Sequence, residues 1–138
     1  MDDPAAFAGL EPMSEQECWE LLGKGVVGRL AVAIDGHPDV FPVNYVVDDS
    51  TIVIRSAPGT KLAAAVLGRG VAFEIDETDA EHRVGWSVVV HGKAHEVERL
   101  DEMVAVADLP VEPWAPGLKG HFIRIEPSKV TGRRLSAG

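Results

Sequence analysis

The chain has 138 residues, a length that favours one domain with a single hydrophobic core, because each of two smaller domains would be marginally stable. Its formal net charge of -9, with only 13 Lys and Arg residues, argues against a nucleic acid or an anionic membrane as partner. The hydrophobic fraction of 46% is that of an ordinary globular protein.

The cysteine content and the N-terminal residues bear on location. Cys18 is the only cysteine, so an internal disulfide is impossible and no cysteine spacing suggests structural zinc. The first residues are acidic and lack the apolar run of a signal peptide. No segment approaches the roughly 20 apolar residues that span a bilayer. We therefore expect a cytoplasmic protein.

The N-terminal region predicts an arm followed by a helix. Residues 1–13 are rich in proline, alanine and acidic side chains without periodicity, and are expected to be a flexible arm ahead of one domain over 14–138. Ser14 and Glu17 have the spacing of a capping box, which predicts a helix start. The helix is expected to end within residues 23–25. Its apolar stripe consists of Cys18, Leu21 and Leu22.

The next region predicts three consecutive strands, over 28–34, 40–47 and 51–56, joined by turns at 35–38 and 48–50. A meander of this length tends to curl toward a barrel. The remaining predicted elements are a helix over 60–67, a strand over 71–75, a loop over 76–84, a long strand over 85–98 bulged near Gly92, a short helix over 100–107, and two final strands over 121–127 and 130–135 that pair with each other. The prediction is a mainly β protein with about seven antiparallel strands.

The segment RSAPGTK at 55–61 is the most informative stretch. It brings the cations of Arg55 and Lys61, the hydroxyls of Ser56 and Thr60, and a predicted helix N-terminus within seven residues. Such a helix start has unpaired N–H groups at its positive end, which suit a terminal phosphate monoester. In the alternative interpretation, Thr60 only caps the helix and the two cations are solvated. The position at the end of a strand favours the phosphate site.

A second feature is Pro42 inside an otherwise apolar strand. Proline cannot donate to a ladder, so the strand must lie at an edge or be bent there. Alternation places Phe41, Val43, Tyr45 and Val47 on one face and Val40, Pro42, Asn44 and Val46 on the other. Free backbone groups at such an edge could bind the rim of a flat heterocycle, with Asn44 adding an amide. The alternative is a barrel corner in which a turn satisfies Asn44.

The tryptophans and histidines give weaker signals. Trp86, next to Ser87, fits a core position, whereas Trp114 between two prolines fits an interface or a binding site. His91 and His95 share a strand face but lie about 13 Å apart, which is too far for one metal ion. No metal site is therefore predicted, and no pair of catalytic carboxylates is evident.

In sequence order, the blocks VGRLAV, PVNYVV, IRSAPGTKL, VAFEID, GWSVVVHGKA, PWAPG and IRIEPSKVTGRR resemble the pyridoxamine 5'-phosphate oxidase-like superfamily over about residues 14–135. The nearest branch contains short flavin-nucleotide-binding proteins, including nitroimidazole-resistance relatives. The resemblance implies a six-stranded split barrel and a homodimer that holds two FMN molecules at its interface. The chain is shorter than true pyridoxamine phosphate oxidases and lacks their C-terminal arginine and histidine segment, so vitamin B6 oxidation is not expected.

The resemblance also implies site residues. In the family, the strand matching Val43, Asn44 and Tyr45 faces the isoalloxazine ring. The matching phosphate ligands are Arg55, Ser56, Thr60 and Lys61, with Leu62 beside them, Ser87 near the ring and Trp114 reaching in from the other subunit. The implied function is an FMN-dependent oxidoreductase of a small aromatic or nitro compound. A deazaflavin-dependent reductase and a non-catalytic flavin carrier are the alternatives.

Overall fold

The computed structural model describes residues 10–56, 66, 68–97 and 121–135. Within these ranges, one helix and seven strands have defined bounds. In chain order these are β1 Leu10–Met13, α1 Glu15–Lys24, β2 Val27–Ile34, β3 His37–Asp48, β4 Thr51–Ser56, β5 Gly70–Asp79, β6 Val84–Glu96 and β7 His121–Leu135. None of the described helical segments combines the length and the apolar character needed to cross a membrane.

The strands form one antiparallel sheet in the order β1-β7-β4-β3-β2-β5-β6, and β6 pairs back onto β7. Strands β2 to β7 therefore close into a six-stranded barrel, while β1 lies beside the C-terminal end of β7. Closure depends on the length of β7, whose first residues pair with β4 while its pairing with β6 extends to Leu135. The predicted mainly β barrel of six to seven antiparallel strands is confirmed, and it fits a split barrel.

Side-chain alternation fills the barrel interior. Within each barrel strand, buried apolar residues recur at every second position over part of its length, as the two-residue period of a strand requires. Fully buried members of this core are Leu30, Ile52, Ile54, Phe73, Val88, Val90, Ile123 and Ile125. Helix α1 adds Cys18 and Leu22 to the same core.

The start of α1 is the predicted capping box. Ser14 Oγ accepts a 3.1 Å hydrogen bond from the backbone N–H of Glu17, and the Glu17 carboxylate accepts one of 3.4 Å from the backbone N–H of Ser14. The helix ends at Lys24 with Gly25 as its C-cap, which confirms the predicted end. The capping residues therefore set both limits of the helix.

Two strand predictions were wrong. Residues 76–79 belong to β5 instead of a loop, because they pair with residues 84–87 of β6 as an extended hairpin. Residues 121–135 form one strand instead of a hairpin, because residues on both sides of Ser128 pair with β6. Ser128 is one extra residue of β7 at the point where this ladder shifts, between His91 and Gly92. The predicted bulge near Gly92 is thereby confirmed. Pro127 lies at this bulge, and a bulge is one of the places where a strand tolerates proline. The strand therefore continues past Pro127.

Other differences concern the ends of the predicted elements. Residues 10–13, predicted as part of a flexible arm, form β1 and pair with residues 132–135. The predicted helix over 60–67 is described only at Val66, which is helical and buried. The predicted helix over 100–107 lies outside the described residues.

Candidate functional site

A row of polar side chains crosses the outer face of four neighbouring barrel strands. These residues alternate with buried core residues, and therefore point away from the barrel interior. We call this row the polar belt; its members are Asn44 of β3, Arg29 of β2, Glu74 and Asp76 of β5, and Ser87 of β6. Across the ladders, Arg29 lies opposite Glu74, and Asp76 lies opposite Ser87. The register thus brings Asn44 and Ser87, both predicted site residues, onto one surface.

Arg55 is the predicted phosphate ligand that the structure describes most fully. It follows the buried Ile54 near the end of β4, so its side chain leaves the barrel on the outer face. Its guanidinium carbon lies 5.6 Å from the ring centroid of Phe122, a cation–π contact. Its Nε is buried and has no hydrogen-bond partner among the described residues. A buried N–H of this kind is suited to an acceptor such as a phosphate oxygen.

The other predicted phosphate residues are less completely described. Ser56 is the last residue of β4 and pairs with His121 of β7, which places the start of the predicted phosphate loop at the end of this strand pair. Thr60, Lys61, Leu62 and Trp114 lie outside the described residues. Their roles stay predictions.

Within the predicted ring-facing segment, the three side chains divide between two faces. Val43 and Tyr45 are 7% and 3% exposed and belong to the core, whereas Asn44 lies on the outer face opposite Val27. The Tyr45 hydroxyl donates to the carbonyl oxygen of Leu22, and burial raises its pKa to about 12. The alternation predicted from sequence is confirmed. Only the backbone of Val43 and Tyr45 is therefore available to a molecule on the outer face.

The edge expected at Pro42 is present. Residues 37–44 of β3 pair with β2, but the ladder with β4 begins only at Tyr45. Among the described strands, residues 37–44 thus have a ladder neighbour on one side alone. Pro42 lies in this stretch, where a missing N–H interrupts no second ladder.

The belt contains a pair of carboxylates that the sequence interpretation missed. Arg29 Nη1 lies 3.4 Å from Glu74 Oε1 and 3.2 Å from Asp76 Oδ2, and both acidic side chains are about one-third exposed. Burial raises the pKa of Glu74 to about 7, and a hydrogen bond with Asp76 and repulsion from the Asp76 carboxylate act in the same direction. The positive charge of Arg29 acts in the opposite direction. The sequence contains the signal in the spacing Glu74-Ile75-Asp76, which puts two carboxylates on one strand face. The pair was not recognised because residue 76 was predicted to begin a loop.

A cleft of about 200 Å³ adjoins the belt at its β6 end. Asp76, Ser87, Trp86 and Arg133 are among the residues that line it. Trp86 is half-buried and also packs against the barrel core, in agreement with its predicted core position. The cleft gives the β6 end of the belt a concave, partly apolar boundary.

Comparison with known proteins agrees with this fold. The family model for pyridoxamine 5'-phosphate oxidase matches residues 14–134. A solved structure from Corynebacterium glutamicum is 38% identical and superposes with a TM-score of 0.82, covering 100% of this chain and 98% of that one. An FAD binding protein from Mycobacterium smegmatis is 35% identical with a TM-score of 0.79, covering 90% of this chain and 97% of that one.

A more distant likeness concerns the fold alone. A Bacteroides thetaiotaomicron structure named for 5-nitroimidazole antibiotic resistance has a TM-score of 0.70 at 13% identity, covering 91% of this chain and 89% of that one. The six-stranded barrel, the strand-end arginine and the family match over most of the sequence lead to one assignment. This chain belongs to the pyridoxamine 5'-phosphate oxidase family.

Proposed function

We propose that this chain binds a flavin nucleotide on the outer face of its barrel, with the phosphate at Arg55 and the ring along the polar belt. The observation that carries the proposal is the buried Arg55 Nε, which has no hydrogen-bond partner among the described residues. Leaving such a donor unsatisfied costs roughly 1–3 kcal/mol, and a phosphate oxygen would remove that cost. The FAD-binding relative at 35% identity supports the choice of a flavin.

The proposed contacts fall into two groups, one at the phosphate and one at the ring. The phosphate would be held by Arg55, Ser56, Thr60 and Lys61, with Leu62 beside them, and the ring would meet the 43–45 backbone, Asn44, Ser87 and the partner copy's Trp114. When bound, the flavin supplies the electron-transfer chemistry, and the protein contributes orientation and hydrogen bonds. This division explains why few catalytic side chains are needed.

FMN is the flavin that we favour, because the RSAPGTK segment offers a site for one terminal phosphate monoester. The FAD-binding relative makes FAD the main alternative, and deazaflavin is the third. Mass spectrometry of the cofactor extracted from purified protein distinguishes all three. An FMN mass supports the proposal in its specific form, and either other mass corrects it.

A second copy of this chain is proposed to complete the site. Val27 and Val40, on the outer face beside the belt, are 38% and 57% exposed, which is unusual for large apolar side chains. A partner covering them would bury apolar surface and enclose a ring lying on the belt. Light scattering coupled to gel filtration should therefore give the mass of a dimer, and a monomer mass at micromolar concentration would contradict this part of the proposal.

The proposed reaction is flavin-dependent oxidation or reduction of a small aromatic or nitro compound. Anaerobic addition of a nicotinamide nucleotide should bleach the flavin absorbance, and a nitroaromatic compound should restore it. A bound flavin that is never reduced under these conditions would favour the alternative of a non-catalytic flavin carrier.

The decisive experiment measures flavin affinity after substitution of Arg55. Arg55→Met removes the charge and the Nε donor but keeps most of the side-chain length, and Lys93→Met removes one positive charge from an exposed site on β6. We expect the dissociation constant for FMN to rise at least about tenfold in Arg55→Met, equivalent to about 1.4 kcal/mol. Lys93→Met should leave it within about twofold, a difference below about 0.5 kcal/mol.

Thermal melting of the flavin-free proteins separates binding from folding. Lys61→Ala, in the predicted phosphate loop, should likewise weaken FMN binding far more than it lowers the melting temperature. If the substitutions lower the melting temperature as severely as they weaken FMN binding, Arg55 and Lys61 only support the fold.

A further inference from the structure

Three charged side chains of the polar belt lie between the two groups proposed to reach the ring. Asn44 is on β3 and Ser87 on β6, and the sheet order places β2 and β5 between these strands. Three interstrand spacings separate the two residues, or about 14 Å along the sheet. The outward side chains on the intervening strands include Arg29, Glu74 and Asp76.

The curvature of the barrel determines which side chains lie nearest to a ring on its outer face. Its outer surface is convex, so a flat molecule that touches two strands must also lie against the strands between them. If the ring reaches Asn44 and Ser87, the side chains on β2 and β5 are those nearest to it. The inference therefore rests on the proposed flavin site and assigns it a further set of residues.

We propose that Arg29, Glu74 and Asp76 form a charged cluster beneath the flavin ring, in which one ionisable proton on the carboxyl pair sets the reduction potential of the bound flavin. Hereafter these residues are the Arg29 cluster. Arg29 Nη1 contacts both carboxylates, at 3.4 and 3.2 Å, and holds them together on the half-buried sheet face. Glu74 and Asp76 are thereby placed to share a proton, as close carboxyl pairs do.

The charge on the cluster changes by one unit when that proton leaves. With the proton bound, the single positive charge of Arg29 balances one carboxylate, and without it the cluster carries a net charge of -1. Other charged or titratable groups facing Glu74 from the described strands are His91 on β6 and, beyond Ser87, Arg133 on β7. Arg29 contacts Glu74 directly, with its Nη1 3.4 Å from Glu74 Oε1.

An added negative charge beneath the ring opposes reduction. Reduction brings two electrons and at least one proton to the flavin, and in a titration the electrons come from dithionite and the proton from water. Since the product is richer in electrons, a nearby carboxylate destabilises it relative to the oxidised form and lowers the reduction potential. The deprotonated cluster should therefore hold the flavin at a lower potential than the protonated one.

The test compares the wild-type protein with Glu74→Gln, each loaded with FMN, in reductive titrations from about pH 5.5 to 8.5. Glutamine keeps the shape but stays neutral, so it mimics the protonated cluster. Because the pKa of Glu74 is raised to about 7, the two proteins should have equal potentials near pH 6 and diverge above about pH 7, with the wild type lower. The control Glu77→Gln makes the same charge change on the other face of β5 and should follow the wild type.

A second measurement needs no flavin. In the flavin-free protein, carbon NMR of the Glu74 carboxyl should titrate near pH 7, and Asp76→Asn should lower that midpoint by removing the repulsion. Asp76→Asn also replaces Glu74→Gln in the potential measurement if the latter does not fold.

The outcomes separate this inference from the proposed function. If no variant binds a flavin, the proposed function itself fails. If flavin binds but the potentials of wild type and Glu74→Gln run parallel at all pH values, the Arg29 cluster is only a surface ion-pair network and the inference is overturned. A change in melting temperature alone, with unchanged potentials, overturns it as well, because a structural role does not alter the electron affinity of the ring.

Discussion

The hydroxyl of Tyr45 donates a 2.6 Å hydrogen bond to the backbone carbonyl oxygen of Leu22, and this contact joins the barrel to the last turn of α1. The tyrosine ring packs edge-on against Phe73, with centroids 4.7 Å apart. Glycine is required at the helix C-cap, position 25, because a Cβ there would collide with the Tyr45 hydroxyl. One side chain of β3 thus fixes where the helix ends and how it sits on the barrel.

Tyr45→Phe is predicted to lower stability without affecting flavin binding. The substitution removes one buried hydrogen bond, and we expect the free energy of unfolding to fall by about 0.5–1.5 kcal/mol, plus any cost of an unsatisfied carbonyl. Urea denaturation of the flavin-free protein measures this loss. The FMN dissociation constant should be unchanged, because the hydroxyl points into the core. A marked weakening of FMN binding at equal stability would show that the Tyr45 side chain contacts the flavin.

Much of the barrel follows from local sequence patterns. Alternation in β3 predicted correctly that Tyr45 and Val43 share one face of the strand and Asn44 lies on the other. The capping box of α1 could likewise be predicted from the sequence, because its hydrogen bonds join residues only three apart. Strand β1 was missed, since its four residues acquire their conformation by pairing with residues 132–135 at the far end of the chain.

The candidate site shows the same division between local and distant information. Arg55 could be identified because strand, loop and predicted helix follow one another along the chain. The cluster of Arg29 with Glu74 could not, because 45 residues separate these partners and only the register of β2 against β5 brings them together. Single sequences carry little information on register, since any even shift preserves the same faces.

Glycine substitutions provide a matched test of the β6–β7 bulge. At Gly92 a Cβ would overlap the carbonyl group of Glu126, and this backbone cannot move without breaking the ladder. Gly92→Ala is therefore expected to destabilise the protein by about 1–3 kcal/mol, the range for overpacking a tight site. Gly23→Ala is the control, because the helix position has open space and alanine should stabilise it by roughly 0.5–1 kcal/mol. In chemical denaturation, the unfolding midpoint should fall for Gly92→Ala and rise for Gly23→Ala. A Gly92→Ala protein as stable as the wild type would contradict the described register.

The capping box predicts how α1 responds to acid. The hydrogen bond from the Ser14 backbone, followed by the contact with Arg134, holds the pKa of Glu17 below its ordinary value of 4.5. A carboxyl whose pKa is depressed on folding stabilises the folded state above the unfolded value, and this contribution disappears as the pH falls through the folded one. The wild type should therefore melt above Glu17→Gln near neutral pH, and the difference should shrink as the pH drops below about 4.5. Glu20→Gln makes the same change of side chain at an exposed position of the same helix and serves as the control. A Glu17→Gln difference that stays constant from neutral pH into the acid range would mean that the carboxylate charge takes no part in capping.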